Sequence, residues 1–141
     1  MNQTYDLSRF EKAHRKDYAR ALREIKNGRK TTHWMWYIFP QIKGLGFSST
    51  AQFYSIQSLD EAIAFLNDPY LGGNLKEISS ALLELPTNNA TQVFGFPDDL
   101  KLKSSMTLFK YASNGPSVFD KVLDKYYGGA IDTQTKSILG L

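Results

Sequence analysis

The sequence predicts an all-α fold, a compact single-domain bundle of about six short helices spanning residues 1–141. Three observations carry that expectation. Apolar residues recur at intervals of three and four along most of the chain; glycines, prolines and acidic residues stand where helices stop and start; and strand-like runs are nearly absent. One segment breaks the pattern. The run His33-Trp34-Met35-Trp36-Tyr37-Ile38-Phe39-Pro40-Gln41 holds both tryptophans and almost no polar surface.

Taken in order, Leu7, Phe10, His14, Tyr18, Ala21, Leu22 and Ile25 form one stripe from about Asp6 to Asn27, with a break allowed near His14-Arg15-Lys16-Asp17 and Gly28 as a left-handed cap. Ser58-Leu59-Asp60-Glu61 has the spacing of a capping box and opens a short helix with Leu59, Ala62, Ile63 and Leu66 on its buried face. Asp68-Pro69 reads as a cap and a first-turn proline, and Leu75, Ile78, Leu82 and Leu85 mark the following helix up to Pro86, with Gly72-Gly73 separating the proline turn from the helix proper. Asn89 caps a single turn ending at Gly95. Pro97-Asp98-Asp99 then starts a helix through Leu102, Met106 and Phe109, its acids favoured by the N-terminal end of the dipole. Val118, Phe119, Val122, Leu123 and Tyr126 make the next stripe, closed by Gly128-Gly129, and Asp132 caps a last helix through Ile138.

The aromatic run admits two readings. As a strand it would be apolar on both faces and need buried partners, for which only Phe53-Tyr54-Ser55-Ile56 and Gln92-Val93-Phe94 offer themselves, giving at most a minor two-stranded element. As a short helix, apolar on nearly every side, it would be buried and stopped by Pro40, which is the favoured reading. Trp34 and Trp36 would then point about 200° apart, so that one at most lines a given pocket.

Composition excludes several classes. A chain of 141 residues can bury roughly 68–70% of its unfolded surface without staples. It has no cysteine, hence no disulfide or thiolate site, and with two histidines at no metal-binding spacing neither a metal site nor a cofactor is expected. The apolar run Trp34 to Pro40 falls far short of the ~20 residues of a membrane span, and Met1-Asn2-Gln3-Thr4-Tyr5-Asp6 does not begin a secretory signal, so a cytoplasmic protein with no membrane partner is expected. A net charge of +3 with interspersed signs tolerates an anionic ligand without the basic stripe that nucleic acid requires, and a monomer is the default.

Gly28-Arg29-Lys30 leading into His33–Gln41, then Gly44-Leu45-Gly46, and later Asp98-Asp99-Leu100-Lys101-Leu102-Lys103-Ser104-Ser105-Met106-Thr107-Leu108-Phe109 together resemble the DUF1810 family of small, mainly α-helical proteins. The likeness runs from Leu7 to the last helix. It implies one helical domain and assigns no catalytic residue. His14 departs from it, since members more often carry glutamine there.

Motif by motif, Gly28-Arg29-Lys30-Thr31 lacks the upstream glycine and the preceding strand of a phosphate loop, and Gly44-Leu45-Gly46 has Ser49 where a dinucleotide fingerprint needs its third glycine; a tight turn is the better reading. His33, at the edge of the aromatic block, is the candidate acid or base if burial tunes it, against the commoner role of a hydrogen-bonded core histidine. Asp99 is its candidate partner, or a grip for hydroxyls. Arg29, Lys30, Lys43, Lys101 and Lys103 are candidates to neutralise an anion, Trp36 to stack, and Gln41, Ser104 and Ser105 to hydrogen-bond. Adjacent Ser104 and Ser105 inside a helix are locally unfavourable, which either close packing or a ligand would compensate. The expectation is therefore a small anionic ligand, a nucleotide or phosphorylated metabolite, held between the aromatic block and the Asp98–Ser105 stretch, with His33, Trp36, Asp99 and Ser104 converging. The alternative is a protein-interaction module anchored by an exposed aromatic block.

Overall fold

The structure, a computed structural model, describes residues 5–141; the first four positions of the segment read as lacking a secretory signal lie outside the described residues. The described residues form nine helices: α1 (Ser8–Lys26), α2 (Met35–Ile38), α3 (Ser49–Phe53), α4 (Leu59–Asn67), α5 (Pro69–Leu83), α6 (Ala90–Phe94), α7 (Asp98–Ala112), α8 (Val118–Tyr127) and α9 (Thr133–Ile138). All-α is thus the fold class, and the higher helix number comes from the single-turn pieces α2, α3 and α6. Helix α3 was not foreseen. Its start is set by Ser48, whose hydroxyl accepts from the Ala51 N–H. Of the two-stranded element the described residues hold a single parallel bridge, Ile42 opposite Ile56, in which Lys43 N–H donates to the Ile56 carbonyl and Ile56 N–H to that of Gln41.

Most boundaries follow the expected chemistry. Gly28, Gly95 and Gly128 take positive φ after α1, α6 and α8, and the carboxylate or amide oxygens of Asp68, Asn89 and Asp132 accept from the first turns of α5, α6 and α9. Two local readings need correction. Helix α1 is not interrupted near His14–Asp17, because both residues are buried and held by partners on other elements. Gly72 and Gly73 lie within α5 and do not separate it from Pro69. Gly72 is required where Asp68 ends α4 and begins α5 at once, since a Cβ there would stand 1.9 Å from the Leu66 carbonyl oxygen. The Ser58 box is also modified: Ser58 accepts from Glu61 N–H, but Glu61 reaches one residue further back, to Gln57 N–H, and pairs with Arg9 at 3.1 Å.

Helix α7 sits at the centre, packed by α4, α6, α8 and α9, while α5 bridges α1, α4 and α8, and α2 lies on α1. Leu102 and every residue from Ser104 to Phe109 are buried, so α7 is enclosed on nearly all sides. That position accounts for its small polar residues. Ser104 and Thr107 hydroxyls donate back to the Leu100 and Lys103 carbonyls, satisfying themselves within the helix while allowing close approach.

The aromatic block is a short buried helix, as expected. Trp34, Met35, Tyr37, Ile38, Phe39 and Pro40 are buried, and Trp34 stands against Phe39 and Phe94. Glu24 fastens it. Its carboxylate accepts from Thr31 N–H (2.7 Å), Thr32 N–H (3.0 Å), the Thr32 hydroxyl (2.6 Å) and the Trp34 indole N–H (2.9 Å). Burial alone would raise the Glu24 carboxyl, but these donors outweigh it and hold the group at about 2. Nearer the N-terminus of α1, His14 is buried, with Nε2 at 2.8 Å from the Tyr37 carbonyl and Nδ1 at 3.1 Å from the Asn74 amide nitrogen, an arrangement that places the ring proton on Nε2. Burial lowers its pKa from 6.5 to about 4, against the opposing pull of the Tyr37 carbonyl and Asp68.

Glu24→Ala is expected to cost about 3 kcal/mol in chemical denaturation, because it leaves a buried indole N–H and two backbone N–H groups without an acceptor; a loss below about 1 kcal/mol would remove Glu24 as the fastening of the block. His14 predicts a pH dependence. A neutral folded imidazole with its pKa depressed below the unfolded value contributes stability that is present above about pH 6.5 and lost as pH falls toward about 4, so stability drops by about 2 kcal/mol between about pH 7 and 5. In His14→Gln that slope disappears.

Candidate functional site

A cleft of about 560 Å³ opens where the N-terminal half of α7 faces α2, the loop after it and α3. The Trp36 side chain, half-buried, lines it from α2, and Gln41 follows from the next loop. Lys101, Lys103 and Ser104 line it from α7, with Leu100 and Pro97 at the rim; Leu45 to Ser48 and Asp132 complete the wall. The helical phase expected for the block explains Trp36: with Trp34 turned fully into the core, a residue about 200° away faces outward.

Its electrostatics are uneven. Lys101 Nζ stands 5.6 Å from the centre of the Trp36 ring and 3.5 Å from Asp98 Oδ1, so its charge is partly matched. Lys103 is half-buried with Nζ 5.8 Å from the Tyr127 ring centre, and among the described residues it has no acidic partner within ion-pair distance. Asp132 brings a carboxylate to the same cleft, but its Oδ2 is already engaged by the Ser104 hydroxyl at 3.1 Å and by the first turn of α9. The cleft therefore offers the rings of Trp36 and Phe47, one unmatched ammonium group, a second that Asp98 shares, and the amides of Gln41 and Gln134.

The other candidate residues lie elsewhere. His33 is exposed at the start of the block, without the burial on which its acid/base role depended; its carbonyl accepts from the Tyr37 hydroxyl. Asp99 faces a different depression, where its carboxylate accepts from the Thr91 hydroxyl at 2.6 Å and its carbonyl from the Tyr127 hydroxyl. The convergence of four residues is thus corrected to two, Trp36 and Ser104. Five positions along a helix rotate Asp99 about 140° away from Ser104. Lys30 is spent on the core: its Nζ lies 2.8 Å from Asp98 Oδ2 and 5.2 Å from the Trp34 ring centre. Arg29 and Lys43 are exposed and do not line the cleft, and Ser105 is buried with a hydroxyl that has no partner among the described residues. Burial of the block also removes it as an interaction anchor; the exposed large apolar side chains are Phe47, Phe53, Phe96 and Leu100, Ile138 and Leu141. Among the described residues there is no group of three or more His, Asp or Glu able to hold a metal, and no helix is long and apolar enough to cross a membrane.

Sequence reasoning missed Leu45 to Ser48 and Asp132 as cleft walls. Ser48 and Asp132 carried a usable signal only as helix caps, which places a side chain on its own helix and says nothing of what it faces.

Comparison with known proteins places the chain in context. The profile of a family described as "Protein of unknown function (DUF1810)" matches residues 4–139. The crystal structure of the conserved hypothetical protein Rv1873 from Mycobacterium tuberculosis is similar at 43% identity and a TM-score of 0.94, over 97% of this chain and 98% of that one. No curated protein matches.

The two tryptophans give a direct check on the cleft wall. In Trp36→Phe the remaining emission comes from fully buried Trp34 and is expected to resist acrylamide, whereas the parent is quenched through Trp36. Equal quenching of the two proteins would place Trp36 inside the core.

Proposed function

The chain belongs to the DUF1810 family of proteins of unknown function, and we propose that it binds a small anionic ligand, a nucleotide or related phosphorylated metabolite, in the cleft between the aromatic block and the Asp98–Ser105 stretch. One observation carries the reading: Trp36 and Gln41 meet Lys101, Lys103 and Ser104 across about sixty residues of chain in one concave site. A ring face stacks on a base or packs on a sugar, an ammonium matches a phosphate, and amide and hydroxyl groups read polar edges. Lys103 is the strongest of these. A half-buried cation without a carboxylate partner gains more from an anion than a solvated one, since the anion restores what burial removed.

Binding is the role supported here, and catalysis is not part of it. Neither His33 nor Asp99 lines the cleft, so that acid/base pair does not face a ligand held there. The proposal extends to a cytoplasmic monomer acting on a diffusible ligand.

A thermal-shift panel of nucleotides and sugar phosphates tests it. At least one member is expected to raise the melting temperature of the parent, with each tenfold excess over Kd adding about 1.4 kcal/mol. Lys103→Ala and Trp36→Ala should each weaken that response about tenfold or more. No shift from any compound, or equal shifts in parent and variants, would sink the reading.

A further inference from the structure

A second cleft, of about 380 Å³, lies along α1 on the side reached by Tyr37, the residue after Trp36. Two adjacent rows of α1 form one wall. Ser8, Lys12 and Lys16 make the outer row at four-residue intervals; Arg9, Ala13 and Asp17 make the inner row. Ala13 is the smallest side chain of the inner row. The opposite wall is aromatic, built from Tyr37 with Phe53 and Tyr54 at the end of α3.

The groups of this cleft divide into those already used and those left over. Arg9 is used: Nε donates to the Phe53 carbonyl, Nη1 to that of Asp6, and Nη2 to the Ser55 carbonyl and the Glu61 carboxylate, so it ties α3 to α1 and has little left for a ligand. Asp17 is used as well, by the Tyr37 hydroxyl and by Arg20 at 3.0 Å. Lys12 and Lys16 are left over. Both are exposed and have no acidic partner within ion-pair distance among the described residues. They stand one turn apart on the same face, with Cβ atoms about 5–6 Å from each other, near enough for both ammonium groups to reach one anionic group.

The aromatic wall has a specific shape. Phe53 is 59% exposed although it is large and apolar, and its ring meets that of Tyr54 at 83° with centroids 4.8 Å apart. Tyr54 is in turn braced by Tyr37 at 5.0 Å. A corner of two perpendicular rings accepts a third flat ring stacked on one and edge-on to the other, the two arrangements aromatic pairs prefer. From this juxtaposition we infer that the cleft is a second binding site, for a small aromatic anion, an aryl phosphate or aryl carboxylate, whose ring enters the Phe53–Tyr54 corner and whose charged group bridges Lys12 and Lys16. The volume holds one ring and one anionic group, at the small end of ligand pockets. The site shares no lysine with the cleft of Trp36 and Lys103. It stands or falls independently of the function proposed for that cleft.

The test is an amide NMR titration of the full chain with phenyl phosphate, benzoate and inorganic phosphate. Phenyl phosphate or benzoate is expected to move the amides of Lys12, Lys16, Phe53 and Tyr54 saturably, and which of the two binds tighter identifies the charged group preferred. Lys12→Ser/Lys16→Ser should raise that Kd about tenfold or more, and Phe53→Ala should raise it too, while Lys103→Ala leaves it unchanged. All four substituted positions are exposed or lie outside the core, and the amide spectrum of each variant reports directly that it is folded. Inorganic phosphate binding as tightly as phenyl phosphate, aromatic anions shifting no resonance in this cleft, or an unchanged Kd in the lysine double variant would each overturn the assignment.

Discussion

The four hydrogen bonds received by the Glu24 carboxylate are the constraint on which the arrangement of the functional surface depends. They close the loop from Gly28 to Trp34 onto the last turn of α1, and one of them ends on the Trp34 indole. Once Trp34 is fastened inward, the phase of the short α2 is set. Trp36 then faces one cleft and Tyr37 the other, where Asp17 of the same α1 takes its hydroxyl. One buried carboxylate on α1 thus orients aromatic side chains toward two separate clefts. The charge is tolerable in the interior because every part of it is matched by a donor, at geometry that favours the ionised form.

Helix α7 supplies the complementary constraint. A helix surrounded on nearly all sides has no polar face to spare, and its middle is filled with serine, methionine, threonine, leucine and phenylalanine in succession. The Ser104 and Thr107 hydroxyls bond to the helix's own carbonyls and Ser104 also to Asp132, whose backbone N–H in return donates to Thr107, while the Ser105 hydroxyl has no partner among the described residues. Like its last residues, Lys110 to Ala112, which are half-buried, the first turns of α7 leave the enclosure. Leu100, Lys101 and Lys103 emerge there, opposite Trp36, and the cleft is the space between an emerging helix end and the outward residue of a buried turn.

Several misreadings share one origin. Lys30 looks like an anion-binding residue in a glycine-led basic run, yet its ammonium is folded over Trp34 and onto Asp98, so the charge serves the packing of the loop against α7. His14 looks incidental and is the buried imidazole, while His33 looks poised and is exposed. In each case the residue type stated which chemistry was available, and its depth in the fold decided whether that chemistry was spent internally. The glycines after Pro69 illustrate the same point for the backbone: Gly72 reads as a helix breaker, but its lack of a Cβ is what lets α4 and α5 meet across a single shared residue.

What the sequence alone determined is short-range. The helical class, the positions of most helices, the caps at Asp68, Asn89 and Asp132, the left-handed glycines 28, 95 and 128, and the opposed tryptophans all follow from the helical period and from hydrogen bonds within a few residues. The tertiary structure decided which of those faces meet. It brought Trp36 to Lys103, turned Asp99 away from both, drew Asp132 into a cleft wall, and aligned Lys12 and Lys16 with a ring corner from α3 that has no strong sequence signal. The physical reason is angular: each residue turns a helix by 100°, so a site assembled from three helices depends on three phases, and these are set only when buried groups such as Glu24 and Trp34 lock against one another.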